Sequence, residues 1–171
     1  MSKRNLTKYL KELKKRQLEE QIVELYERFK VVKEYYDFAF NPKEDKIIEE
    51  CKFKISKEYF PVSNRKPKLR RSVAQKLIKK YRLLEVDPQV IGEIMIFNIE
   101  IAQTYCGEKS IKQDAFYISM LKSFREALAY TDSQGFLKDF EDSFKAIVEE
   151  SVDQNWFNYR AFEREIDEYL I

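Results

Sequence analysis

Nine cations crowd one stretch of the sequence. Arg65, Lys66, Lys68, Arg70, Arg71, Lys76, Lys79, Lys80 and Arg82 lie between Tyr59 and Leu84, with no acidic residue among them. Side chains of this type at this density suit anionic surfaces, the phosphates of a nucleic acid or the carboxylates of a protein. Most surface helices interleave acids with bases for i,i+4 pairing, and this stretch does not. Arg70 and Arg71 also flank Ser72, an apparent helix start, where backbone N–H groups and the helix dipole already favour an anion. The competing structural reading is a solvated charged face, neutralised within the fold by acids from elsewhere in the chain.

Two other constellations carry less chemistry. Glu93 and Glu100 sit seven residues apart on one face of the most apolar segment. Paired carboxylates in such a setting can do acid–base work or hold a metal. Two helical turns separate them by about 10.5 Å, too far to share a proton. They read instead as buried polar positions or as partners of basic residues from the N-terminal half. The aromatic cluster Tyr35, Tyr36, Phe38 and Phe40 could stack bases beside its neighbouring lysines. In a helical chain with 25 aromatic residues, core packing is the preferred reading.

What is missing excludes more. The 171 residues contain no histidine, which removes Ser-His-Asp and Cys-His arrangements, imidazole metal ligation and helical Glu-x-x-His sites. Three isolated glycines, Gly92, Gly107 and Gly135, cannot build a phosphate-cradling loop. Cys51 and Cys106 stand far apart, outside any C-x-x-C, and read as buried thiols. No calcium-loop spacing occurs. The expectation is a non-enzymatic protein without metal or cofactor. The segment 90–102 is broken by Glu93 and Glu100 and is shorter than the roughly 20 apolar residues a membrane helix needs. The N-terminal residues show no secretory pattern. A cytoplasmic protein with no membrane partner is expected.

The elements that must carry the cations follow from apolar spacing. Four proline and three glycine residues, 44% hydrophobic residues and 36% charged residues point to an all-α chain in one domain, 1–171. Leu6, Tyr9, Leu10 and Leu13 mark a first amphipathic helix, and Leu18, Ile22, Leu25, Tyr26 and Phe29 a second. Asn41-Pro42 with Glu44 reads as the cap of a helix that ends before Pro61. Ser72-x-x-Gln75 and Ser110-x-x-Gln113 read as capping boxes, and Asp87-Pro88 as a cap-plus-proline start. Gly107 should end the apolar central helix. A stripe of Phe136, Leu137, Phe140, Phe144, Ile147 and Val148 predicts one helix, and Phe162, Ile166, Tyr169 and Leu170 the last. On a helical wheel, Val73, Ala74, Leu77, Ile78, Tyr81 and Leu84 share one half of the fifth helix and its cations the other. The result is eight or nine helices in antiparallel hairpins, either an irregular bundle or a short HEAT-like solenoid. The spacing of helix starts falls near the roughly 40–47-residue period of such repeats.

A near-neutral total hides a strong polarity. Residues 1–82 carry a net charge of +12 and residues 83–171 a net charge of −10, leaving +2 overall. A basic half and an acidic half invite either an anionic partner or docking on each other, within the chain or as a homo-oligomer.

Leu6 to Phe29 resembles the helix–loop–helix of SAP-type DNA-binding modules, although no glycine separates the helices. A hairpin packed on the core is the preferred reading. The order Leu6-x-x-x-Leu10-x-x-Leu13, Val32-Lys33-Glu34-Tyr35, Phe38-x-Phe40-Asn41-Pro42 and Lys57-Glu58-Tyr59-Phe60-Pro61 resembles an uncharacterised family of small helical bacterial proteins, a domain of unknown function. That resemblance, mainly over residues 1–90, implies a bacterial cytoplasmic protein. It supplies neither an activity nor site residues.

Overall fold

A computed structural model describes residues 2–169. Among them the fold is all-α: nine α-helices, one 3-10 turn and no strand. The chain divides between Pro42 and Lys43 into two units.

The first unit holds α1 (Lys3–Glu12), α2 (Lys15–Arg28) and α3 (Lys30–Phe40). Side-chain hydrogen bonds join these helices. Gln21 donates to the Tyr9 hydroxyl at 2.7 Å, and the Tyr26 hydroxyl donates to Asp37 at 2.7 Å. Tyr36 touches the rings of Tyr26, Tyr35 and Phe40. No residue of the three helices is buried. Within this unit Tyr26, Tyr35, Tyr36 and Phe40 form a local ring cluster. Phe40 is 84% exposed.

The second unit holds α4 (Glu44–Tyr59), α5 (Arg71–Leu83), α6 (Pro88–Glu108), α7 (Asp114–Ser133), a 3-10 turn (Leu137–Phe140), α8 (Glu141–Asp153) and α9 (Tyr159–Tyr169). Its centre is α6, which is apolar on most sides and packs against α4, α5, α7 and α8. Its principal packing pairs join helices one or two apart in sequence, which fits both arrangements expected from the sequence, an irregular bundle and a short solenoid of helix pairs. Each large apolar side chain buried here contributes about 1.5–3 kcal/mol. Phe124, fully buried, packs its ring against Phe144 and Phe162 at 5.6 and 5.0 Å.

Helix ends follow three rules. The α6 start behaves as its sequence indicates: Pro88 occupies the first turn and the Asp87 carboxylate accepts from Gln89 N at 2.7 Å. Helices α5, α7 and α8 each end in a left-handed residue, Glu85, Gly135 and Asn155. In each case the amide of that residue and the next bond back to the last turn, and the closing residue is apolar: Val86, Phe136 or Trp156. The other expected caps are absent. Helix α4 starts at Glu44 from Lys43, α5 at Arg71 from Arg70, and α7 at Asp114 from Gln113, none with a side-chain cap. Helix α6 continues through Gly107 to Glu108. The stripe from Phe136 to Val148 is split by the 3-10 turn before α8. Leu170 lies outside the described residues.

Candidate functional site

The connection from α4 to α5 carries the first part of the cationic stretch. Its path is fixed by one residue, Glu58, at the end of α4. The Glu58 carbonyl accepts from both Lys68 N and Leu69 N, at 2.9 and 3.1 Å. Its carboxylate grips the Arg70 guanidinium with two bonds, of 2.7 and 2.8 Å. These bonds, with the Arg70 charge, hold the Glu58 carboxyl below its ordinary range against the opposing effect of burial. Leu69 takes a left-handed conformation, φ 52°, which costs a non-glycine residue strain and makes this turn a fixed one. The folded loop leaves Arg65, Lys66 and Lys68 exposed around a cleft of about 410 Å³ that Lys57 and Arg70 also line.

Helix α5 continues the surface. Lys76, Lys79, Lys80 and Arg82 are exposed, while Ala74, Tyr81 and Leu84 are buried, which matches the two halves of the wheel. Lys80 lies over the Tyr81 ring, and the Arg82 guanidinium stacks over Tyr130 of α7 at 5.1 Å.

Arg71 is placed differently from its neighbours. Its side chain is only 17% exposed. Nε donates to Ser123 Oγ at 2.6 Å and the guanidinium meets Glu126 at 2.5 Å. Gln75 also donates to Glu126, and Asn98 to Ser123. The network ties α5 to α6 and α7. The Ser72–Gln75 capping box does not form because α5 already starts at Arg71, which puts Ser72 inside the first turn, and the Gln75 amide donates to Glu126, fifty-one residues away.

Beyond that network, α5 and α7 both rest on α6 and leave a groove of about 780 Å³ between them. Ile78, Leu83, Met95, Ala129 and Tyr130 supply apolar lining, and Lys79 and Arg82 the cationic edge. Sequence reasoning found the two cations but not the groove. Its α7 wall comes from residues with no motif of their own.

The remaining candidates lie apart from this surface. Glu93 pairs with Lys52 at 2.5 Å, as a partner from the basic half, and Lys52 also lies over Phe97. Desolvation raises the Glu100 carboxyl, opposed by Lys52 and reinforced by Glu93. Cys51 is buried and Cys106 half-buried, both as free thiols. Burial pushes them up to about 11 and about 12. Among the described residues, no three His, Cys, Asp or Glu side chains are grouped to hold a metal, and no helix is long and apolar enough to cross a membrane.

No curated protein and no solved structure matches the chain. A family model does, over residues 1–170, and so reaches well past the landmarks of the first ninety residues. The chain belongs to that family, a family of unknown function, DUF6155.

Proposed function

We propose that this protein is a non-enzymatic binding protein that engages an anionic partner through the surface formed by Arg65, Lys66, Lys68, Lys76, Lys79, Lys80 and Arg82. The observation that carries this reading is the disposition of charge on one continuous run of chain. Seven cations are exposed on the loop and on α5, no acid occurs from Tyr59 to Leu84, and Arg70 and Arg71, held by Glu58 and Glu126, serve the fold. Such a surface attracts polyanions through counterion release.

Anisotropy of a labelled single-stranded oligonucleotide tests it. Three or four neutralised phosphates on a single strand predict an affinity loss of roughly 20- to 50-fold between 50 and 200 mM salt. Reversal of Lys76, Lys79 and Arg82 to Glu should abolish binding without unfolding the protein. Absence of binding to this oligonucleotide and to an acidic peptide at low salt, or indifference to the reversal, would sink the reading.

A second reading has the basic and acidic halves dock on each other, in one chain or between copies. The pairs Arg71–Glu126 and Lys52–Glu93 favour it, since each joins residues 1–82 to residues 83–171. Light scattering across a salt gradient separates the two, because copies held by charge dissociate as salt rises.

A further inference from the structure

The groove between α5 and α7 has dimensions that select among anionic partners. It runs from Gln75 to Leu83 on α5, eight residues or about 12 Å. That is the length of about two helical turns of 5.4 Å.

Its chemistry is amphipathic. Ile78, Met95 and Ala129 give an apolar bed, and Leu83 stands 67% exposed at the open end. Cations line one side only, from α5. On the opposite wall Glu126, held by Arg71 and Gln75, keeps a guest's anionic groups on the α5 side. Arg82 covers one face of Tyr130, the aromatic ring of the lining, which limits base stacking there. An extended peptide would find no sheet edge among the described residues, and its backbone would go unpaired. An amphipathic helix satisfies its own backbone and needs only an apolar stripe and a charged flank.

We infer that the α5–α7 groove is the seat of a short acidic amphipathic helix from a partner protein, with its apolar stripe on Ile78, Leu83 and Met95 and its carboxylates beside Lys79 and Arg82. This rests on the proposed anionic-partner reading and narrows it. The stripe spans two turns, so the recognised pattern is apolar residues at i, i+3 or i+4, and i+7, with Asp or Glu on one side.

The test is selection of a displayed library of random 16-residue peptides on the intact protein. Enriched peptides should carry that pattern. The best of them, made synthetically, should bind about tenfold more weakly to Ala129→Trp, which fills the groove from an exposed position, and to the Lys79→Glu, Arg82→Glu double variant. Ser133→Trp fills the same groove from the end of α7 and serves if Ala129→Trp fails to fold. No enrichment, enrichment of another pattern, or equal binding to a folded groove-filling variant would overturn the inference. Oligonucleotide binding that survives groove filling but not charge reversal would leave the basic-surface reading standing and this inference fallen. Loss of oligonucleotide binding on groove filling would assign the groove to nucleic acid and overturn it too.

Discussion

Arg71 and Arg70 are adjacent in sequence, yet replacing each by alanine should have very different consequences. Arg71 is largely withdrawn from water and bonded to Ser123 and Glu126. Without it, Glu126 keeps only the Gln75 amide at 2.6 Å, and Ser123 only Asn98 at 3.4 Å. Breaking a buried ion pair from one side costs about 3–5 kcal/mol. The Glu126 side chain is 36% exposed, so water recovers part of that, and about 2 kcal/mol remains. Loss of the packed arginine stem adds about 1 kcal/mol. The Arg70 guanidinium is half exposed, which weakens its pair with Glu58, although the Glu58 side chain itself is only 12% exposed. The assay is urea unfolding followed by fluorescence of Trp156, the single tryptophan, which is buried in the second unit. With a slope of about 2 kcal/mol per molar urea, Arg71→Ala should lower the midpoint by about 1–1.5 M. Arg70→Ala should lower it by less, because water reaches the half-exposed guanidinium. A cycle combining Arg71→Ala with Glu126→Gln should show strong coupling. Equal shifts for the two arginines, or additive effects in the cycle, would refute the assignment of Arg71 to the fold.

The left-handed helix ends give a paired expectation. Gly135→Ala places a side chain at φ 80° with nothing within 4 Å of its Cβ, so strain alone should cost about 1–2 kcal/mol. Glu85→Gly relieves the same strain and should stabilise thermal unfolding by about 0.5–1 kcal/mol; a loss would show that the Glu85 side chain contributes more than its backbone costs. The Glu58 carboxyl is held low in the folded protein, so its contribution is complete above the unfolded value of about 4.3 and fades as pH falls through the folded one. Glu58→Gln should therefore destabilise at pH 7 and match the wild type in strong acid; a constant difference at every pH would contradict the Arg70 pairing. Phe124→Ala, at a fully buried ring among two others, should cost about 3–5 kcal/mol by denaturant titration, and a cost below 1 kcal/mol would mean the three-ring cluster is not a packing centre.

Much of the fold was legible because local spacing and burial agree. Helix α6 announced itself by Asp87-Pro88 and by apolar residues on most of its sides, and it is the hub. The wheel of α5 separated its buried and exposed faces correctly at Ala74, Tyr81, Lys76 and Lys79. Local patterns failed where distant residues decide. Ser72-x-x-Gln75 has the letters of a capping box, but the helix begins at Arg71, whose side chain is held by Ser123 and Glu126 on α7. Arg71 sat among the outward cations on the wheel, and only its two partners on α7, more than fifty residues on, turn it inward. The stripe from Phe136 to Val148 satisfied helical spacing because residues three apart align in both 3-10 and α-helices, so its break was invisible. The groove eluded the sequence for another reason. It is a gap between two helices laid on a third, and no residue pattern encodes a gap.

The two shielded thiols have a bearing on how any partner would be governed. The one side chain that ordinarily changes charge in the physiological range is absent from the chain. The cysteines, next in line, are pushed to about 11 and about 12. Modest acidification or alkalisation of the surroundings thus finds no imidazole and no activated thiol through which to act. Ionic strength, which screens exposed charges over about 8–10 Å, is the variable to which a surface of this make-up responds. Association through it would behave as a salt-tuned contact and not as a proton-operated switch.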